Sequence, residues 1–237
     1  MELTMPRPEP HIGAVLFDLD GTLLDSEPAY FESDRAFLAE YGIDYDEAMN
    51  ATFTGRGAIE MMLVLEHMFP DSLLNAVPLP ERVRLKDEAF LAYAPSRVKP
   101  FAGVVTLARR LVARGVVVAV ASGSSPSVID LMLRSSGLDE LFRLRVSASE
   151  VPRGKPEPDV FLETARRAQV DPASCLVIED SRHGVAAAHA AGMACIALPA
   201  AGTDDMGDFA SADIIVDGGA AALDPDVVLY RYVWASS

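Results

Sequence analysis

The sequence predicts an α/β fold, a doubly wound parallel sheet with an inserted α-helical cap domain, from three observations. Beyond Pro100, β-branched apolar runs alternate with amphipathic stretches, the pattern of parallel strands joined by crossover helices. Near the N-terminus, residues 12–18 form one more apolar run of the same kind. Between them, residues 27–98 repeat apolar side chains at helical spacing and carry no strand pattern. A core domain of residues 11–26 and 99–237, interrupted by a cap of residues 27–98, satisfies all three. An insert at that point would lie over the end of the first strand as a lid.

Residues 1–10 hold three prolines and two glutamates and read as a loose tail, without the apolar stretch of a signal peptide. Ser26 stands as an N-cap, with Pro28 in the first turn of a helix that Gly42 stops. Ile59, Met62 and Leu63 mark a second helix ending near Pro70, and residues 80–94 a third, with Val83, Phe90 and Leu91 on one face. In the core, helices are predicted over 104–112, 128–133, 160–168 and 185–191, and strands over 116–121, 144–147, 175–178, 194–198 and 214–216. The aromatics from Tyr230 to Trp234 suggest a terminal helix docked on the core.

The chain has 237 residues, half of them hydrophobic, and a net charge of −15. A sizeable core is therefore available, while nucleic acid and anionic membranes are disfavoured as partners. No apolar run is long enough to span a bilayer. Cys175 and Cys195 lie in apolar strand-like runs, the pattern of buried reduced thiols in a cytoplasmic protein. The chain is expected to act as a monomer on a small-molecule substrate.

The first strand ends in Asp18-Leu19-Asp20-Gly21. In an extended backbone, positions two apart face the same side. The two acids would therefore share the space at the strand's carboxyl end, where open α/β sheets bind ligands. Carboxylates this close repel, and one needs a cation or a proton. Magnesium, a hard ion that takes one or two carboxylates plus phosphate and water, answers this need. A solvated Asp-rich turn is the mundane alternative. A calcium loop fits poorly, because Gly21 stands at the fourth position after a strand rather than the sixth after a helix.

Three later stretches can meet the same space. Ser122-Gly123-Ser124 follows a strand and precedes a helix, so its hydroxyls and N–H groups suit an anion. Lys155 is followed by Pro156 and Pro158, two prolines that fix the backbone and suit an accurately placed cation, although a surface loop reads the same way. Glu179-Asp180 ends a second buried strand in acids, an uncommon feature for packing reasons alone. Together they provide what phosphoryl transfer needs. A carboxylate attacks phosphorus, a metal and a lysine offset charge, and a hydroxyl orients the equatorial oxygens.

DLDGTLLDSE, VASGSS, GKPEPDVF and VIEDSRHGVAAAHAAGM resemble, in order and spacing, the four motifs of the haloacid dehalogenase superfamily. The branch they resemble has a Rossmann-like core with a helical cap after the first motif, and includes β-phosphoglucomutase and sugar-phosphate phosphatases. The resemblance implies that Asp18 is the nucleophile and forms an aspartyl phosphate. It makes Asp20 the general acid and then the base, an aspartate that dehalogenases lack. It gives Ser122 the phosphoryl oxygens and Lys155 the charge on Asp18. Magnesium would be held by Asp18, the backbone carbonyl of Asp20 and Asp180, with Glu179 alongside. It also implies a cis Lys155–Pro156 bond, inexpensive before proline. On this reading the metal and Lys155 keep Asp18 ionised, and Asp20 has the higher pKa.

The expected activity is that of a magnesium-dependent phosphatase acting on a sugar phosphate. A phosphosugar mutase is the alternative. Mutases of the branch carry a histidine where this chain has Tyr30, and a Lys-Asn pair where it has Ser125-Pro126. They also place an arginine three residues after a cap glycine, and here Arg56 follows Gly55 directly. A phospho-accepting receiver domain is a further alternative, but receivers are shorter, lack the insert, and have no acid two residues past the acceptor. Glu27, Tyr30 and Arg56 from the cap side, with Gly123 and Ser124, are the candidate substrate contacts.

Overall fold

The computed structural model describes residues 11–53, 57–203 and 205–235. Its centre is a six-stranded parallel sheet. The elements in chain order are β1 (His11–Ile12), β2 (Ala14–Phe17), β3 (Leu24–Asp25), α1 (Glu27–Ala39), α2 (Glu47–Phe53), α3 (Ala58–Met68), α4 (Leu79–Tyr93), β4 (Lys99–Pro100), α5 (Ala102–Val112), β5 (Val117–Ser122) and α6 (Pro126–Ser135). They continue with β6 (Leu144–Ser147), α7 (Asp159–Ala168), β7 (Cys175–Glu179), α8 (Arg182–Ala190), β8 (Ala194–Ala197), β9 (Ile214–Ile215), α9 (Pro225–Arg231) and β10 (Val233–Trp234). The sheet order is β6-β5-β2-β7-β8-β9, with two-stranded pairs β1–β10 and β3–β4 outside it.

The period of two along each strand divides the interior into two apolar layers. Val15, Phe17, Val118, Val120, Leu176 and Ile178 point to one side, where α5, α6 and α9 cover them. Ala14, Leu16, Ala119, Ala121, Cys175 and Val177 point to the other, against α7 and α8. Both faces are covered, as an all-parallel sheet requires. The free thiols Cys175 and Cys195 are buried.

Register positions the chemistry. Phe17 pairs with Val120 on one side and Ile178 on the other. The residues just past this line, Asp18, Ala121 and Glu179, therefore emerge at one edge of the sheet. Helices α1 to α4 lie between β3 and β4, which pair antiparallel and close the segment at its base. These helices have an apolar cluster of their own, built on Phe37, Leu38, Tyr45, Met62, Leu65 and Leu74.

One helix was not expected, and three local expectations need correction. Helix α2 lacked a periodic apolar stripe, and among its residues only Phe53 is buried. Helix α4 turns Arg82, Lys86 and Phe90 inward, while Val83 and Leu91 are only half-buried. The cations are drawn in by acids: Lys86 meets Asp34 at 2.9 Å and Arg82 meets Glu66 at 2.8 Å. Ile59 and Leu63 are exposed, and Met61, Met62 and Leu65 form the buried face of α3. Beyond Arg231 the chain leaves the helix, and Val233–Trp234 pairs as a strand with His11–Ile12, while the Trp234 indole donates back to the Leu229 carbonyl. No helix among the described residues is long and apolar enough to cross a membrane.

Phe142 is fully buried and packs edge-on against Phe17, with ring centroids 5.4 Å apart. Phe142→Ala is expected to lower the unfolding free energy in urea by about 3–5 kcal/mol. The exposed Val227→Ala should stay within about 0.5 kcal/mol.

Candidate active site

Lys155 sits at the focus of the carboxyl edge. Its ammonium donates to Asp18 Oδ1 at 2.5 Å, Glu179 Oε1 at 2.7 Å and the Ala121 carbonyl at 3.1 Å. An ammonium has three protons, and here each meets an acceptor on a different one of three adjacent strand ends. The Lys155–Pro156 bond is cis. Asp18 is buried, and its N–H donates to the Ile178 carbonyl at 3.0 Å.

Glu179 has both oxygens engaged. Oε1 accepts from Lys155, and Oε2 accepts from the Ser181 N–H at 2.7 Å and its hydroxyl at 3.0 Å. Gly184 allows this packing, since a Cβ there would overlap the Glu179 side chain. Asp180 is seated against Gly21, where a Cβ would strike its carboxylate and where φ is +77°. Thr22 Oγ1 lies 3.4 Å from Asp180 Oδ1.

Asp20 is held by two hydroxyls. Ser26 donates to Oδ1 at 2.8 Å and Ser124 to Oδ2 at 2.7 Å. Ser26 does occupy the N-cap position of α1, but its hydroxyl makes no cap bond and turns to Asp20 instead. Because Ser124 gives its proton to Asp20, the Tyr30 hydroxyl, 3.1 Å away, donates to Ser124. Ser122 is fully buried, and its hydroxyl accepts from the Ser124 N–H at 3.0 Å while Gly123 is exposed.

Sequence reasoning expected Tyr30 among the substrate contacts. In the structure its ring stacks on Phe90 at 3.8 Å, the Lys86 ammonium lies 4.8 Å from its centroid, and its hydroxyl is committed to Ser124. Glu27 is half-buried at the start of α1, and burial, reinforced by Asp20, pushes its carboxyl up to about 7. Arg56, with Gly55, lies outside the described residues. Lys86 and Asp34 were missed. The available signal was a pair of cations, Arg82 and Lys86, in phase with Phe90 on one helical stripe.

Burial pushes Asp18 up to about 8, with Glu179 and Asp20 adding to the shift and Lys155 opposing it. Burial also raises Asp20, against the two serine hydroxyls, and Asp180, where Glu179 and Asp18 add. For the Lys155 amine, burial pulls downward, but Asp18 and Glu179 outweigh it and hold the amine above its usual range. Carboxylate oxygens of Asp18, Glu179 and Asp180 lie within 4.8 Å of one another. An all-oxygen, acid-rich set with one ammonium beside it fits a hard divalent cation.

A family model described as haloacid dehalogenase-like hydrolase matches residues 12–192. Among curated proteins, the chain is 36% identical over 189 residues to the bifunctional riboflavin kinase/FMN phosphatase of Arabidopsis thaliana, covering 78% of this chain but only 48% of that one. It is 35% identical over 185 residues to the fructose-1-phosphate phosphatase YqaB of Escherichia coli K12, covering 76% and 92%. Among solved structures, CbbY from Rhodobacter sphaeroides in complex with phosphate superposes with a TM-score of 0.81 at 26% identity, covering 90% and 96%.

The buried Lys86–Asp34 pair yields a stability test. Lys86→Met strands Asp34 inside without its cation and should cost about 3–5 kcal/mol in chemical denaturation. The double change Asp34→Leu with Lys86→Met should recover most of that loss, since an apolar pair of similar volume replaces the ions without stranding either.

Proposed function

The chain belongs to the haloacid dehalogenase-like hydrolase family and is an enzyme, and we propose that it is a magnesium-dependent phosphatase acting on a small sugar phosphate. The observation that carries this reading is the pairing of Asp18 with Asp20. One acid is gripped by an ammonium, and the other, two residues on, is steadied by two hydroxyls. That division suits a nucleophile beside a separate acid–base group. The phosphatases among its relatives support the same class of reaction.

In the proposed reaction, Asp18 attacks phosphorus through Oδ2, the oxygen that Lys155 does not bind. The Asp18–phosphorus bond forms as the bond to the leaving oxygen breaks, and Asp20 gives that oxygen its proton. Asp20 then takes a proton from water as the water oxygen attacks phosphorus and Asp18 departs. Ser122 accepts from Ser124 and keeps its own proton for a phosphoryl oxygen. Lys155 offsets charge on Asp18 throughout. Held by Asp18, Asp180 and the Asp20 carbonyl, with Glu179 alongside, magnesium would supply positive charge toward the phosphoryl oxygens and relieve repulsion among the acids. Residues 27–98 act as a cap domain, a reading supported by the reach of Tyr30 from α1 to Ser124.

A panel of phosphorylated sugars and related metabolites, assayed for released phosphate, tests the proposal. Turnover is expected with magnesium, should be lost to a chelator, and should return with added magnesium. Asp18→Asn should lower kcat by at least roughly a thousandfold with little change in thermal midpoint. Parent-level turnover by Asp18→Asn would refute the assignment. Glucose 6-phosphate formed from β-glucose 1-phosphate, with no free phosphate, would transfer it to the mutase class.

A further inference from the structure

We infer that Ser147, at the end of edge strand β6 and outside the four motifs, is a positioning residue for the Ser122–Ser124 loop. The inference rests on the proposed role of that loop in holding phosphoryl oxygens. Ser147 pairs in register with Ser122 across β5 and β6. Its side chain is buried. Its hydroxyl donates to the Ser124 carbonyl at 2.6 Å, one of the shorter contacts in the site.

The direction of that bond is fixed, because a carbonyl oxygen only accepts. A serine hydroxyl offers one proton and two acceptor sites. Ser147 Oγ accepts from the Ser149 N–H at 3.1 Å and lies 2.8 Å from Ser149 Oγ. With its own proton on Ser124, it accepts from both, and all three capacities are filled. The Ser147 backbone is pinned as well. Its N–H donates to Glu150 Oε2 at 2.8 Å, closing a capping box, and Arg167 of α7 holds Glu150 Oε1 at 3.0 Å.

The consequence runs through Ser124. Its carbonyl is tied to Ser147, its N–H to Ser122 Oγ and its hydroxyl to Asp20 Oδ2. Those three bonds set the turn that carries the Ser122 hydroxyl and the exposed Gly123. Without the Ser147 proton the Ser124 carbonyl loses one of these three ties, and the loop loosens from the fixed donor geometry on which electrostatic stabilisation depends. The part-buried Ser124 carbonyl would also lose this partner.

Steady-state kinetics with p-nitrophenyl phosphate, product inhibition by inorganic phosphate and thermal midpoints separate positioning from mere support. Ser147→Ala should lower kcat about tenfold and raise the phosphate inhibition constant several-fold at temperatures well below its midpoint. Ser147→Thr keeps the hydroxyl and should restore both. A lower midpoint with parent-level kcat and phosphate inhibition would overturn the inference. Should Ser147→Ala not fold, Ser147→Cys, a weak donor of similar shape, should show the same losses in milder form, and parent-like values there would overturn it equally. Ser122→Ala in the same assays is the control for the loop's role. If it retains full activity, the underlying reading fails. If it loses activity while Ser147→Ala does not, only the present inference fails.

Discussion

The site depends on one ammonium satisfying three acceptors from three neighbouring strand ends. Lys155 binds the Asp18 and Glu179 carboxylates and the Ala121 carbonyl. Buried carboxylates repel one another and resist ionisation, so this grouping persists only where a cation is held at fixed distances. The parallel register of β5, β2 and β7 brings the three acceptors to one line. Lys155 arrives from the segment after β6, and its ammonium sits 5.0 Å from the Phe161 ring of α7.

Other features follow from the same crowding. Gly21 and Gly184 leave room for the Asp180 and Glu179 side chains, which a Cβ at either position would displace. Serines do most of the remaining fixing. Ser26 and Ser124 hold Asp20, Ser181 holds Glu179, and Ser147 holds the Ser124 backbone. Each is a short side chain that adds a donor without adding charge to an already acid-rich edge. The helical segment contributes through Tyr30, whose placement depends on Phe90 and on the Lys86–Asp34 pair.

Much of this was legible in the sequence, for physical reasons. Apolar runs such as 14–17 and 175–178 are too short for helices and end abruptly in acids, so the strands and the carboxyl edge could be read together. The four motifs resembled one family, and the match over residues 12–192 bears that resemblance out. What escaped was whatever inverted the usual pattern. Val83 and Leu91 read with Phe90 as the apolar face of α4, yet Arg82 and Lys86 lie inside instead, where Glu66 and Asp34 meet them. Ser26 read as a helix cap, while its hydroxyl accepts no cap bond and donates to the nearby Asp20 carboxylate. Tyr230 read as a docked aromatic but is almost fully exposed, because the chain turns from helix to strand directly after it. The role of Ser147 had no linear signal at all, since its partner is 23 residues away in the loop after another strand.

The most direct test of Asp18 as the group that accepts phosphorus is a single-turnover reaction stopped in acid within milliseconds and digested for mass spectrometry. A phosphoryl group on the peptide containing Asp18, rising and then decaying as phosphate appears, is the predicted result. Turnover with no such adduct at any time, or with the phosphoryl group on Ser122 instead, would contradict it.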